Sequence, residues 1–388
     1  MTIELATYLD AYHHLEDVMD VTAGPELRTL KNAIVTAYRL LPNSHRWAYY
    51  DRQYTLASEA SQTTGTVTYV DSSRELTLSG ATWPSNATRY RVYINDKNAW
   101  FPIASRTSST VVVLDANQNP GSDITTASSY TLSRTHYPFP ANFRKMYKIL
   151  DGKSQYEVTY VDPPLITAQE TYWQTPDSQP AYCTIAADGE YYGALSIVFS
   201  SPPAEERFYH LHYQASPRPL KVFEENAGTG TWTAASTTVT GSSTAFADKH
   251  VGSVIKLGED GTTPPTAVGG DYPYEAYRII SAVASATSLT LDAVPGVAQT
   301  AKKFTISDPL DMTSDSMLTY FLRSCEYQAA ILMNRQDVQQ KYTIQQNALK
   351  DAMAADARWR GDSGHGGIGS VPYHLRGWST VPVERVTS

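Results

Sequence analysis

A repeated segment is the feature that most constrains how this chain can fold. IASRTSSTVVVLD at 103–115 aligns without a gap on ISAVASATSLTLD at 280–292, with five identical positions. Self-similarity of this kind indicates that one structural unit occurs twice. The repeat predicts two copies of one small all-β module, at residues 61–134 and 228–307.

The residues around the two segments match as well. Each segment follows an Ala-aromatic pair and precedes a strand-like run, YTLS in the first copy and FTIS in the second. Upstream, Gly65-Thr66 is matched with Gly230-Thr231. The alternative explanation is that strands rich in Ser, Thr and Val resemble one another by chance. Matched blocks in the same order favour a true repeat.

Almost every segment between residues 55 and 307 has the pattern of a strand. Short β-branched and aromatic runs are separated by Gly, Pro, Asn and Ser, and no long helical period interrupts them. Because no intervening segment could supply a crossover helix, we expect antiparallel pairing. The runs are VTYV, RELTLS, TVVVLD, YKIL, YEVTYV, LSIVFS and FYHLHYQ.

Both ends of the chain have a helical period. Apolar residues recur every three or four positions in residues 3–19 and again in 27–41, where Pro42 is expected to follow the end of the helix. A third pattern begins after Asp311, pauses at 334–337 and then resumes. It predicts two helices in a hairpin or one bent helix.

The patterns together predict an α+β fold. A helical bundle packs with a central antiparallel β region, and two small all-β modules, each a barrel or a sandwich, are inserted into this body. The predicted segments are N-terminal helices at 1–60, the first module at 61–134, the central β region at 135–227, the second module at 228–307, C-terminal helices at 308–360 and an extended arm at 361–388.

Composition narrows the functional classes. The excess of 27 Tyr over 9 Phe favours sheets with one solvent-exposed face and subunit contacts. The net charge of −8 means that the surface as a whole repels nucleic acid. Cys183 and Cys325 offer neither a metal pattern nor a disulfide framework. No apolar run is long enough to cross a membrane, and the N-terminus lacks the pattern of a signal peptide. We therefore expect a protein made in a cytoplasm.

The sequence contains little that predicts chemistry. GDSG at 361–364 resembles the serine region of trypsin-like peptidases, but it opens a Gly-rich stretch that a linker explains better. His210 and His212 alternate on one strand face, where a solvated face is favoured over a metal pair. No nucleophile elbow, P-loop or dinucleotide fingerprint is present. We predict no enzyme activity, no cofactor and no metal.

The C-terminal arm has the composition of an interaction surface. It combines arginines with large apolar side chains that lack enough neighbours to form a core of their own. We predict that the arm docks on a partner, the alternative being a disordered stub. The candidate docking residues are Arg358, Trp359, Arg360, Tyr373, Leu375, Arg376 and Trp378.

The last feature of the sequence is a set of four segments, LRTLKNAIVTAYRLLPNSHRWAYY (27–50), YPFPANFRKMYKI (137–149), the strands of 180–220 and the helical pair at 312–359. Together they resemble head-to-tail adaptor proteins of tailed bacteriophages. The match at 137–149 is to a Leu-Pro-x-Asp-Phe-Arg step into the central strands, although Phe139 and Asn142 replace Leu and Asp. The resemblance covers the ordered chain with loose patterns and no invariant catalytic string.

The resemblance implies a structural protein of the virion neck. Adaptors of this family form a ring of about twelve copies beneath the portal protein. They extend the channel through which genome DNA passes without specific binding, and they contact tail or neck proteins, such as a nozzle or tail tube. We therefore expect a homo-oligomer at the portal vertex, present in the host cytoplasm during assembly, with no membrane partner.

A second class stays open: a tail-associated receptor- or carbohydrate-binding protein that uses the repeated modules. This reading needs exposed aromatic platforms. Trp83 and Trp100 in the first module and Trp232 in the second are the candidates, although each could equally belong to the core of its module.

Overall fold

The computed structural model describes residues 6–165, 180–258 and 274–359, except positions 22, 189, 190, 192, 202, 204 and 313. The chain divides into a helical unit, Met1–Tyr50 with Pro217–Ser388, and a sheet unit, Asp51–Ser216. Helices and largely antiparallel sheets occur together, which confirms the predicted α+β class. The helical unit contains the predicted second module, and the sheet unit contains the first. The six-segment division itself stays a prediction.

Four α-helices occur in the described residues of the helical unit: α1 (Tyr8–Met19), α2 (Glu26–Ser44), α3 (Asp315–Leu332) and α4 (Val338–Trp359). α1 begins at a capping box, in which Thr7 and Asp10 each accept a hydrogen bond from the other's backbone N–H. The C-terminal pattern forms two helices rather than one bent helix. The buried core of α1, α2 and α3 includes Leu15, Met19, Leu30, Ile34, Tyr38, Phe321, Cys325 and Ala329.

α2 extends past the proline that was expected to follow its end. Pro42 lies within the helix, which continues to Ser44. The Leu41 carbonyl accepts hydrogen bonds from the buried Trp47 indole N–H at 2.9 Å and from the Ser44 hydroxyl at 2.8 Å. The predicted boundary was wrong because Pro42 lies in the last turn, where its missing N–H costs the helix a single backbone hydrogen bond. The two side chains satisfy the Leu41 carbonyl at the helix end.

A buried carboxylate joins α1, α3 and α4. Glu326 lies 2.9 Å from His14 Nε2, 2.9 Å from Lys341 Nζ and 2.6 Å from Arg323. Burial alone would raise the pKa of Glu326, but the hydrogen bonds from His14 and Lys341 and the neighbouring positive charges outweigh it and lower the pKa to about 2. The ionised carboxylate therefore links three helices.

The strands of the sheet unit are short and follow one another closely. In the described residues they are β1 (Asp51–Ala57), β2 (Thr66–Val70), β3 (Glu75–Ser79), β4 (Tyr90–Ile94), β5 (Ala99–Arg106), β6 (Val111–Leu114), β7 (Ile124–Ser128), β8 (Tyr130–Arg134), β9 (His136–Pro138), β10 (Phe143–Asp151), β11 (Thr159–Tyr160), β12 (Tyr182–Ala187), β13 (Leu195–Phe199) and β14 (Phe208–Ala215).

These strands form three sheets, with strand orders β1-β14-β10, β11-β12-β13-β9 and β7-β2-β3-β6-β5-β4-β8. The third is a curled sheet of seven strands. All pairs are antiparallel as predicted except β11 with β12, which is parallel over two residues. The prediction was wrong there because the segment between the two strands, residues 161–181, is long enough for the crossover connection that a parallel pair requires. The first two sheets enclose Leu56, Tyr137, Ile149, Cys183, Ile197, Phe199, Tyr209 and Leu211.

The helical unit contains a second curled sheet of seven strands, ordered β20-β15-β16-β19-β18-β17-β21. Its order matches that of the first seven-stranded sheet at every position. Ile103 lies opposite Leu114 in the first sheet, and Ile280 lies opposite Leu291 in the second, as the sequence alignment implies. Its strands are β15 (Thr229–Trp232), β16 (Thr238–Ser242), β17 (Val254–Gly258), β18 (Tyr274–Ser285), β19 (Ser288–Leu291), β20 (Gln299–Lys302) and β21 (Phe304–Ser307).

The start of each seven-stranded sheet corrects the upstream alignment by two residues. Gly65 and Gly228 both have positive φ, and a Cβ on either would lie 2.2 Å from a carbonyl oxygen, that of Ser79 or Ser242. The close approach to backbone requires glycine at both positions. In the strand register, Gly65 therefore corresponds to Gly228 and not to Gly230. The sequence alone does not show this register.

Helix α1 lies against the outer face of the second seven-stranded sheet. Lys256 on β17 is only 3% exposed, and its Nζ lies 2.6 Å from Asp10 Oδ1. The backbone N–H of Leu9 donates to Ser307 Oγ at 3.2 Å. The matching position on the first sheet, Tyr93, is half-buried. Helix α1 thus covers this position of the second seven-stranded sheet and buries Lys256.

Candidate functional site

The predicted docking residues lie mostly beyond the described part of the chain. Arg358 is exposed in the last turn of α4, and Trp359 is the last residue of that helix. The remaining docking residues, namely Arg360, Tyr373, Leu375, Arg376 and Trp378, lie outside the described residues, as does GDSG at 361–364.

The end of α4 from which the arm continues is held in place. Asp356, which is buried, accepts a hydrogen bond from the Ala48 N–H at 3.0 Å and lies 3.2 Å from His45 Nε2. The preceding turn of the helix faces the core at Ala352, which is 1% exposed. Because buried contacts fix the last two turns, Arg358 is presented from a rigid element.

Two of the three candidate aromatic platforms are core residues. Trp83 is 2% exposed and donates its indole N–H to the Thr110 carbonyl at 3.0 Å, and Trp232 is 1% exposed. The third, Trp100, is half-buried, and its ring centroid lies 5.4 Å from that of Tyr93. Of the two roles that the sequence left open, Trp83 and Trp232 have the core role, because each packs into the hydrophobic interior of its own sheet.

The two alternating histidines share one strand face, as predicted. His210 and His212 on β14 are half-buried on the face opposite the core, since Tyr209, Leu211 and Tyr213 point inward. In the described part of the chain, no group of three or more His, Cys, Asp or Glu side chains could hold a metal ion.

A cleft of about 360 Å³ opens at one end of this face. His210 Nδ1 lies 3.3 Å from the Thr55 hydroxyl, a long contact between a candidate base and an alcohol. A Cβ on Gly152 would lie 2.8 Å from the Phe208 carbonyl oxygen and 3.0 Å from His210 Nε2, so this wall requires glycine. The lining residues are Thr55, Gly152, Lys153, Glu205, Glu206, Arg207, Phe208 and His210.

The guanidinium of the cleft is bound to two carboxylates. Arg207 lies 2.8 Å from Asp151 and 2.6 Å from Glu205. Burial alone would raise the pKa of Asp151, but hydrogen bonds from Arg207 and from the backbone of Ser154 and Lys153 outweigh it and lower the pKa. This network stabilises the corner between β10 and β14, and it leaves the guanidinium engaged rather than available to an anionic ligand.

Sequence reasoning missed the cleft. Thr55 comes from β1, Gly152 follows β10, and residues 205–210 lead into β14, so three distant segments supply it. The only signal was the charged run Glu205-Glu206-Arg207, which by itself is typical of a turn.

Both cysteines are free and buried. Burial raises the pKa of the Cys183 thiol to about 12, and burial followed by the charge of Glu326 raises that of Cys325. Neither thiol is therefore a reactive nucleophile. No helix in the described residues is both long and apolar enough to cross a membrane.

Tyrosines at the surface of the sheet unit are its most extensive candidate contact residues. Each of five exposes more than a third of its area, and tyrosine is enriched at protein interfaces because it combines apolar area with a polar tip. They are Tyr54 (38%), Tyr156 (43%), Tyr160 (47%), Tyr182 (39%) and Tyr191 (59%).

Comparison with protein-family models and with curated proteins found no match to this chain.

Proposed function

We propose that this chain is a structural virion protein, a head-to-tail adaptor of a tailed bacteriophage. The observation that carries the proposal is the structure of the segments that resemble adaptors. Residues 137–149 enter β10 through a turn in which Phe139 stacks on Phe143, with ring centroids 3.8 Å apart. Residues 180–220 contain the core strands β12, β13 and β14, and a helical pair follows the sheets.

In this proposal the two seven-stranded sheets are two copies of one inserted module. Their identical strand order supports duplication. So does a shared turn, in which the Thr110 and Thr287 N–H groups each donate to a serine hydroxyl two residues earlier at 3.2 Å. The helices form the bundle of the adaptor body, and the modules are outgrowths that contact tail or neck proteins.

The surface chemistry supports assembly into a ring of about twelve copies around a DNA channel. A net charge of −8 per chain, repeated around a ring, gives a lumen wall that repels DNA and lets it pass. The exposed tyrosines of the sheet unit provide contact area between neighbouring copies or with neck proteins. The ring lies at the portal vertex, extends the channel and provides the platform for the tail.

The C-terminal arm is the proposed attachment to the portal protein. It begins at an anchored helix end, where Asp356 is hydrogen-bonded to the Ala48 N–H. Its arginines form charge-assisted bonds to an acidic partner surface, while its aromatic residues supply apolar burial.

The receptor- or carbohydrate-binding alternative has weaker support, because only Trp100 of its three platforms is accessible. Images of virions labelled on this protein separate the two functions. An adaptor places the label in a ring between capsid and tail. Label at the distal tip of the tail would contradict the adaptor proposal and favour receptor binding.

A further inference from the structure

The first strand of the sheet unit forms an open sheet edge. β1 pairs with β14 through seven consecutive residue pairs, from Asp51 opposite Gln214 to Ala57 opposite Phe208, with no bulge. On its other side β1 has no neighbouring strand among the described residues. A regular edge of this kind presents a row of backbone groups to which another strand can pair.

The hydrogen-bond pattern shows which backbone groups are open. Ser58 N–H donates to the Arg207 carbonyl at 2.8 Å, which fixes the phase of the ladder. Because the bonded positions alternate in an antiparallel pair, Gln53, Thr55 and Ala57 direct their N–H and C=O groups away from β14. No backbone hydrogen bond to these groups occurs in the described part of the chain.

The other edges in the described residues are short, irregular or bridged on their outer side. β8 and β21 pair in regular register, but Gln62 bridges Leu132 and Glu225 bridges Ile306. β10 has two register shifts against β14, and Glu157 bridges Leu150 on its outer side. β9 is three residues long and ends in Pro138, and β11 has two residues. Edge strands β7 and β20 each pair through a register shift. Bulges, prolines and short strands are devices that block edge pairing, and β1 has none of them.

β1 is complementary to a second copy of itself. In a full-length antiparallel pairing, Tyr54 of one copy lies opposite Tyr54 of the other, and both rings are on the side of the sheet that faces the core. Tyr54 is 38% exposed in the single chain, so pairing buries apolar area. No like charges meet, since the remaining opposite pairs are Gln53 with Thr55, Arg52 with Leu56 and Asp51 with Ala57.

We propose that β1 pairs with β1 of a second copy, which joins two three-stranded sheets into one continuous sheet. Two edge strands bury less area than the roughly 1,200 Å² of a stable complex, so the dimer is weak and concentration-dependent. The contact is two-fold and occupies the β1 edge of both copies. It therefore gives a dimer and cannot by itself build a cyclic ring. The inference does not depend on the adaptor proposal.

Cysteine trapping tests the pairing and its register. The Cα atoms of opposite Tyr54 residues lie about 4.5 Å apart at this closely spaced position, within the range for a disulfide. The control is Ala57→Cys, an exposed position on the same strand whose copies are six residues out of register, about 20 Å apart. The native cysteines are buried and do not compete.

With oxidised glutathione as oxidant, Tyr54→Cys should give a covalent dimer and Ala57→Cys should not. Equal crosslinking of both variants, or none, would overturn the proposal.

A proline variant tests the backbone hydrogen bonds. Thr55→Pro removes an N–H that β14 does not use, whereas Thr55→Val keeps that N–H and loses only the hydroxyl contact to His210. Sedimentation equilibrium should show a dimer dissociation constant raised at least about tenfold by the proline and unchanged by the valine. A wild-type protein that stays monomeric, or a proline variant that dimerises normally, contradicts the inference. If the proline variant is unfolded by circular dichroism, the cysteine pair decides the outcome.

Discussion

Lys256 Nζ lies 2.6 Å from Asp10 Oδ1, and the lysine is 3% exposed. The buried ammonium belongs to the second seven-stranded sheet, and the carboxylate belongs to α1, where it also accepts from the Thr7 N–H at 2.7 Å. One acidic side chain therefore caps a helix and neutralises a buried cation. The contact couples the N-terminal helix to a sheet more than two hundred residues away in sequence.

Asp10→Ala should destabilise the protein by about 3–5 kcal/mol, because it leaves the Lys256 ammonium buried without its partner. Urea unfolding checks this value. Thr7→Ala is the matched control, since it removes the hydroxyl of the cap but keeps the ion pair, and should cost about 1 kcal/mol. Equal losses in the two variants would show that the ion pair contributes little.

Glu326→Gln should remove an acid-dependent part of the stability. The pKa of Glu326 falls from 4.5 to about 2 on folding, so its contribution is complete above pH 4.5 and is lost as the pH falls towards 2. At pH 7 the variant should lose about 3 kcal/mol, and its stability should fall less than that of the wild type between pH 4.5 and 2. Urea unfolding at several pH values measures both, with the exposed Asp17→Asn as control. Parallel pH curves for wild type and Glu326→Gln would refute the assignment.

Gly65→Ala should lower the free energy of unfolding by more than about 2 kcal/mol. The reason is that the new Cβ would lie 2.2 Å from the Ser79 carbonyl oxygen in the first seven-stranded sheet. Gly121→Ala is the control, in the loop between β6 and β7 of the same sheet. Gly121 also has positive φ, but nothing lies within 4 Å of its Cβ position, so only about 1 kcal/mol of backbone strain is expected. Thermal unfolding compares the variants, and similar melting temperatures would mean that the close approach relaxes.

The sequence predicted the α+β class of the fold, because the helical and strand periods are local signals. The aligned segments at 103–115 and 280–292 predicted a repeated module, which stays a prediction. The sequence could not show that Gly65 and Gly228 occupy equivalent positions in the two sheets. Only the strand register shows which residues lie opposite each other within each sheet. The sequence left Trp83 and Trp232 undecided, because an aromatic residue in a strand suits a core and a platform equally.

The cleft and the open edge of β1 were beyond prediction for the same reason. Both arise when β14 pairs with β1 on one side and β10 on the other, over long separations in sequence.

Removing residues 361–388 should leave the melting temperature of the isolated protein nearly unchanged, because the sequence of the arm has too few apolar residues to form a core of its own. The same truncation should weaken attachment to the portal protein by several kcal/mol, since each buried aromatic contributes roughly 1.5–3 kcal/mol. Trp378→Ala should reproduce part of the loss. Binding to immobilised portal measures the effect. A truncated chain that unfolds would make the arm part of the core, and one that binds normally would make it a stub.

Mass measurement of the purified protein mixed with its cognate portal tests the adaptor function most directly. The adaptor proposal predicts a free protein that is monomeric or weakly associated and that forms a ring only on the portal. Native mass spectrometry should then show about one copy of this chain per portal subunit. Failure to bind the portal, together with binding to host glycans, would contradict the adaptor function.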